Sequence, residues 1–277
     1  MKIIIYGLNF KPELVGVGKY SGELADFLNK KGNKLRVITA PKYYPEWKSN
    51  KNKYLLDNNN PYRVYRCPIY IPKYPNGIKR IILLISFAIT SFPILLSQLF
   101  WRPDCIILIA PTVSCALNVF FFKFLSFKKV FTMLHIQDFE LEAAFNLGIL
   151  NGKLFKKYLA KIELIIFKNF QVVGTISQGM IKKLLHKGLE KEIIYFLPNW
   201  VDLDKIRPIK SNGRNKYRRK LGISDKTIVI QYSGSMNKKQ GFDFILPIIK
   251  HFNNKNNLLW LFGGEGPMKN TLIKATK

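Results

Sequence analysis

Acidic residues are scarce in this chain. Seventeen Asp and Glu stand against 45 Lys and Arg in 277 residues, a formal charge of +28. That balance excludes a polycation-binding protein and calls for anionic partners. A composition rich in Lys, Asn, Ile, Phe and Tyr supplies part of the excess. Cysteine is equally sparse. Cys67, Cys105 and Cys115 are odd in number, lack metal-ligand spacing and sit in apolar stretches. They read as buried thiols, which excludes a disulfide framework and suits a reducing compartment. The three histidines, His135, His186 and His251, are too dispersed for a zinc site. No helix-turn-helix, zinc or RNP-like signature is present, and basic residues are spread rather than gathered in a recognition helix, so nucleic acid is not the expected partner. The opening MKIIIYGLNFKPE is too short an apolar run for a signal peptide. Solenoid-length repeats and low-complexity tails are absent too.

What the chain does have is a regular alternation. Strands are expected at 2–6, 35–39, 63–68, 105–109, 129–135, 171–176 and 193–196. Helices are expected at 18–31, 78–100, 115–125, 155–169 and 177–187. This βα alternation predicts a parallel sheet with helices on both faces. A second round follows, with a strand at 227–233, a helix at 241–252, a strand at 258–262 and a helix starting near Met268. The charged stretch between reads as a linker with a short helix near 216–221. The expected division is a first domain over 1–203, a linker over 204–226 and a second domain over 227–277.

Ile81–Phe100 is twenty residues without a charge, long enough as a helix to cross a bilayer. Ser86, Thr90, Pro93 and Ser97 share one helical stripe, and an apolar strand follows three residues later. Three placements fit: a helix packed on the sheet and dipping partly into a membrane surface, a fully buried helix, or a span. Lys73, Lys79, Arg80 and Arg102 around it favour the first, because cations beside an apolar surface suit an anionic membrane. The aromatic, Lys-rich run Phe120–Lys129 could extend that face, or could be core and rim.

Ligands of open α/β sheets collect beyond the carboxyl ends of the strands. Three loops stand there. In the first, Gly16 and Gly18 precede a helix N-terminus that favours an anion, although plain turn glycines would look the same. The second, Leu134–Glu140, puts His135 and Asp138 directly after a strand, and this His is a better functional candidate than His186 or His251. The third, Gly234–Gly241, pairs a glycine and Ser235 with Lys238 and Lys239 ahead of a helix, which suits a diphosphate or a solvated turn. A nicotinamide dinucleotide is disfavoured: Thr39-Ala40-Pro41-Lys42 follows the second strand where an acid would hold the ribose.

Several stretches in order, YGLNFKPELVGVGKYSGELADFL, VITAPKYYPEW, RCPIYIPKYPNGIKR, LHIQDFE, GTISQGM, FLPNWVD and YSGSMNKKQG, resemble the retaining glycosyltransferases of family 4. The likeness is to the capsule, O-antigen and colanic acid type. It implies the GT-B fold, with a complete N-terminal Rossmann-like domain on the acceptor side and the start of a second, donor-binding Rossmann-like domain. It implies a nucleotide-sugar donor, a lipid-linked sugar acceptor and a peripheral place on the cytoplasmic face of the membrane, with no cofactor or metal. Gly16 and Gly18 would lie near the donor phosphates and the acceptor. His135 would contact the transferred sugar, Lys239 would neutralise the diphosphate, and Gly234 and Ser235 would line the same loop. Two departures follow. Ser235 and Gln240 stand where many members carry Arg and Lys, so Lys239 is assigned the diphosphate. The family's glutamate pair, spaced E-x7-E, has no counterpart after Gly266. The chain is therefore expected to be truncated in its donor domain, and the alternative to an active transferase is an inactive or split remnant.

Overall fold

The computed structural model describes residues 1–13, 16–44, 46–74, 77–110, 114–139, 153–204, 206–208, 215–236, 240–252, 255 and 257–275. They form two compact units, Met1–Trp200 and Val201–Lys277.

The first unit alternates as the periodicity predicts. Its elements are β1 (Lys2–Gly7), α1 (Gly16–Lys30), β2 (Lys34–Thr39), β3 (Leu55–Asp57), β4 (Arg63–Arg66), α2 (Gly77–Ser97), β5 (Cys105–Ala110), α3 (Cys115–Leu125), β6 (Phe131–Ile136), α4 (Lys153–Lys168), β7 (Val172–Thr175), α5 (Gln178–His186) and β8 (Ile194–Phe196). The sheet runs β3-β4-β2-β1-β5-β6-β7-β8. Every pair is parallel except β3 with β4. The chain moves outward from β1 to β2 and β4, then returns to the other side of β1 at β5. That reversal puts the loop after β1 at the topological switch point, where ligands of such sheets bind.

Central strands are buried on both faces, and their side chains alternate between two cores. Ile4, Tyr6, Ile106 and Leu108 face Phe87 and Leu95 of α2 and Val119 and Phe122 of α3. Ile3, Ile5, Ile107 and Ile109 face Ala25 of α1, with Leu24 and Leu28 at the margin. A buried polar network ties the first core together. The Tyr6 hydroxyl lies 2.6 Å from Ser91 Oγ. Asn118 Nδ2 reaches both Tyr6 Oη at 2.8 Å and the Ala88 carbonyl at 2.7 Å. Burial pushes the Tyr6 phenol well above its ordinary range. The three cysteines are buried free thiols.

α2 packs on the sheet through Leu83, Phe87, Ala88, Ser91 and Leu95. It stops at Ser97 rather than Phe100, and a 3-10 turn covers Gln98–Trp101. The polar stripe has a partner. Thr90 Oγ1 donates to the Pro68 carbonyl at 2.7 Å, and the Tyr70 amide donates to Ser86 Oγ at 2.9 Å. The helix is not fully buried: Ile78, Ile82, Ile85 and Ile89, on a third side, are exposed. Two strands shift by two residues at one end, the others by one at most. The stretch expected at 63–68 leaves the sheet after Arg66, and that expected at 129–135 runs from Phe131 to Ile136. β3 was not foreseen, because a half-exposed three-residue strand carries too few residues to show a period.

In the second unit α6 (Lys216–Lys220), β9 (Ile228–Ser233), α7 (Phe242–His251), β10 (Leu258–Gly263) and α8 (Lys269–Ala275) follow in order. β9 and β10 pair in parallel, Ile230 opposite Trp260. Met236, Phe242, Met268 and Leu272 form its core, with Tyr232 edge-on to Phe242 at 5.0 Å.

Candidate functional site

Within the first unit, the ends of β1 and β6 carry the candidate groups. Gly16 opens α1 with φ of +61°, a left-handed conformation in open space that glycine adopts without strain. Gly18 lies in the first turn and is buried. It must be glycine for a steric reason: an added Cβ would fall 2.5 Å from Glu13 Oε2. Glu13, which no motif or spacing singles out, is only 3% exposed. Asn9 Nδ2 donates to it at 2.9 Å and the Tyr44 amide at 3.4 Å. The signal available was scarcity: one acid in the loop after the first strand of a strongly basic chain.

His135, the last residue but one of β6, lies opposite Ile109 and Gly174 and is 1% exposed. Neither ring nitrogen has a well-formed hydrogen bond. Burial lowers its pKa to about 4, and the nearby Leu197 backbone opposes this only in part. The imidazole is therefore neutral at pH 7. A buried ring with no well-formed hydrogen bond is uncommon and suits an imidazole that meets a ligand. Asp138 is exposed two residues past the strand. The structure places no hydrogen bond or ion pair between it and His135, so these two are not brought together as a pair. Behind them Phe139 is buried, with the Lys183 and Lys187 ammonium groups 5.6 and 5.4 Å from its ring centre.

α1 also holds the end of the first unit. Trp200 Nε1 donates to Glu23 Oε2 at 2.7 Å, and Tyr20 meets the indole edge-on at 5.4 Å.

In the second unit Gly234 follows β9 and Ser235 is exposed, its carbonyl accepting from Tyr232 Oη at 2.7 Å. The loops after β9 and β10 are zipped together. The Met236 amide donates to the Glu265 carbonyl at 2.8 Å, and the Met268 amide to the Met236 carbonyl at 2.9 Å. Lys239 lies outside the described residues. Among the described residues, no group of three His, Cys, Asp or Glu could hold a metal ion.

No family model matches the chain. The protein WcaI of Escherichia coli (strain K12), a glycosyl transferase assigned to colanic acid biosynthesis, is 36% identical over 284 residues, covering 100% of this chain and 69% of that protein. The alpha-galactosylglucosyldiacylglycerol synthase of Streptococcus pneumoniae (strain ATCC BAA-255 / R6) is 26% identical over 97 residues, 35% of this chain and 26% of that protein. Among solved structures, Anabaena HepE in complex with UDP and glucose superposes over 100% of this chain and 65% of its own length, with a TM-score of 0.61 at 11% identity. That likeness concerns the fold, two Rossmann-like units of the GT-B type. The chain spans about two thirds of the length of WcaI and of HepE.

Proposed function

Because this chain belongs to the glycosyltransferases of the colanic acid and capsule type, we propose that it moves a sugar from a nucleotide-sugar donor to a lipid-linked acceptor at the cytoplasmic face of the membrane, with retention at the anomeric carbon. The observation that carries the acceptor reading is the surface of α2 and α3. Ile78, Ile82, Ile85 and Ile89 form one exposed stripe on α2, and Leu117, Phe121 and Phe124 form another on α3. Phe92 and Phe121 meet across the two helices at 6.1 Å. Phe124 is 87% exposed and Phe100 88%. Monomeric soluble proteins rarely leave so large an apolar surface bare. Lys79, Arg102 and Lys129 border it in sequence, as expected for a surface that meets anionic headgroups. The pneumococcal relative is named for a glycolipid product, in keeping with a lipid acceptor.

The donor reading draws on HepE, whose structure holds UDP and glucose. In this reading His135 offers a neutral imidazole to the transferred sugar. The Gly16–Gly18 turn brings backbone amides near the phosphates and the acceptor. Gly234 and Ser235 let the second loop approach the diphosphate, whose charge Lys239 takes up as the nucleotide leaves. Asp138, exposed at the same strand end as His135, is a candidate for orienting the acceptor hydroxyl. Basic side chains and helix dipoles supply the charge stabilisation, and the nucleotide sugar is a substrate rather than a cofactor.

The test is transfer by the purified chain from a panel of nucleotide sugars to a polyprenyl-diphosphate-linked sugar in anionic vesicles. Product with the donor's anomeric configuration is the expected result. Inverted product overturns retention, and equal transfer to a water-soluble acceptor overturns the lipid-linked reading. No turnover by this chain beside turnover by the longer Escherichia coli relative favours the alternative, that the chain does not work alone. Vesicle binding is expected to weaken as salt rises, and a Phe121→Ser, Phe124→Ser double variant is expected to lose it.

A further inference from the structure

Glu13 has no task in that account, yet it is placed as if it had one. Its Oε2 accepts from Asn9, just past β1, and its Oε1 from the Tyr44 amide, past β2. One carboxyl therefore ties together the ends of two neighbouring strands. It also sits under the first turn of α1. An added Cβ on Gly18 would lie 2.5 Å from Oε2 and 2.7 Å from the Glu13 Cβ. The glycine turn at the switch point thus rests directly on this side chain.

The charged groups around it are already engaged. Arg66 of β4 is held by Asp57 at 2.9 Å and by the carbonyls of Ala40 and Lys11 at 3.2 and 3.0 Å. Lys11 is paired with Asp26 of α1 at 2.6 Å. Tyr62 Oη also donates to Asp26, at 2.7 Å. Among the described residues, no cation forms a direct ion pair with Glu13 that would offset its burial. Burial raises its pKa to about 7, while the Asn9 side chain, the Tyr44 and Tyr43 amides and, more weakly, the Arg66 charge pull the other way.

We propose that Glu13 is a positioning residue for glycosyl transfer, which as a carboxylate clamps the Gly16–Gly18 turn against the ends of β1 and β2. The inference rests on the transferase reading for its functional half only. A residue kept for the fold alone gains nothing from charge here. The folded-state value lies above the ordinary 4.5. The stability that protonated Glu13 contributes is therefore full below about 4.5 and is lost as pH rises through about 7. Glutamine would fill the same volume, keep one acceptor oxygen and avoid that cost. A carboxylate held at a net cost to stability is what a functional position tolerates.

The test compares wild type, Glu13→Gln and Glu13→Ala by thermal melting, transfer rate against pH, and amide hydrogen exchange of residues 16–21. At about pH 8.5, Glu13→Gln is expected to melt a few degrees above wild type, and to lose that advantage at about pH 5. It is expected to transfer roughly 10- to 100-fold more slowly in kcat, the scale of a small misplacement of reacting groups. It should also lack the rise in wild-type rate through about pH 7. Glu13→Ala is expected to lose rate and stability together. Wild-type rates and an unchanged pH profile in Glu13→Gln overturn the proposal. If no protein transfers sugar, the functional reading fails, and exchange alone decides for Glu13. Faster exchange of the α1 first turn in both variants above pH 7 upholds the clamp, and wild-type protection overturns it.

Discussion

The strands of the two units use the same apolar residues and end in different surroundings. Ile4 and Ile5 of β1 are sealed between helices and neighbouring strands on both sides. Ile228 of β9 is 58% exposed, and Ile230 is exposed too. Both stretches form strands, because β-branched and aromatic residues suit a pleated backbone wherever a partner strand exists. The difference is in what surrounds them. β1 has a strand on each side and helices above and below. β9 pairs with β10 alone among the described residues, and the core of its unit gathers on one face, around Phe242 and Met268. Burying an isoleucine fully is worth about 1.5–3 kcal/mol. β1 collects that several times over, and Ile228 collects little of it. Stability in the described molecule is therefore concentrated in the first unit.

The widest test of this contrast is at Phe87, fully buried against Tyr6 at 5.8 Å. Phe87→Ala should cost about 3–5 kcal/mol in urea denaturation. A loss under about 1 kcal/mol would mean that α2 is not seated as described.

Next is His135, whose folded pKa of about 4 lies below its ordinary 6.5. Its neutral form contributes stability that is full above 6.5 and is lost as pH falls through about 4, in total about 3 kcal/mol. Subtracting the stability curve of His135→Asn from that of wild type should isolate this acid-side slope. Identical slopes would place the ring in water.

In the second unit, Gly264 is the sensitive position. A Cβ there would lie 1.8 Å from the Gly234 carbonyl oxygen. Gly264→Ala should cost on the order of 1–3 kcal/mol and should make the second unit, not the first, more open to limited proteolysis. Protection unchanged in both units would break the zipped-loop description.

The smallest effect belongs to Ile228→Thr, expected within about 0.5 kcal/mol. A cost above about 2 kcal/mol would show that this face is covered in solution and that the contrast between the units is less deep than it looks here.

Much of the fold was readable from the residues. Residues 115–125 were expected to be helical and are, and β1, β2 and β5 shift by a residue at most. Their apolar periods are long and their boundaries marked by Gly, Pro or Ser. β3 was not readable, since Leu55–Asp57 is a strand only by virtue of pairing with β4. The site was readable in outline. His135 at a strand end and glycines ahead of a helix are local features. That His135 would be sealed without a well-formed hydrogen bond and Asp138 left outside could not be told from spacing. Glu13 escaped for the same reason. One of its partners, Tyr44, is 31 residues away in the chain.

The sequence alone determined the alternation of strand and helix, the glycine turn after β1, the excess of positive charge and the resemblance that placed the chain among sugar transferases. Each follows from residue types within a few positions of one another, or from their order along the chain. Only the tertiary structure decided which side of α2 meets the sheet and which is bare, why Ile4 is buried and Ile228 is not, and why burial pushes the Glu13 carboxyl up to about 7. Burial and its electrostatic consequences are set by atoms brought together from distant parts of the chain, and no local pattern records which ones meet.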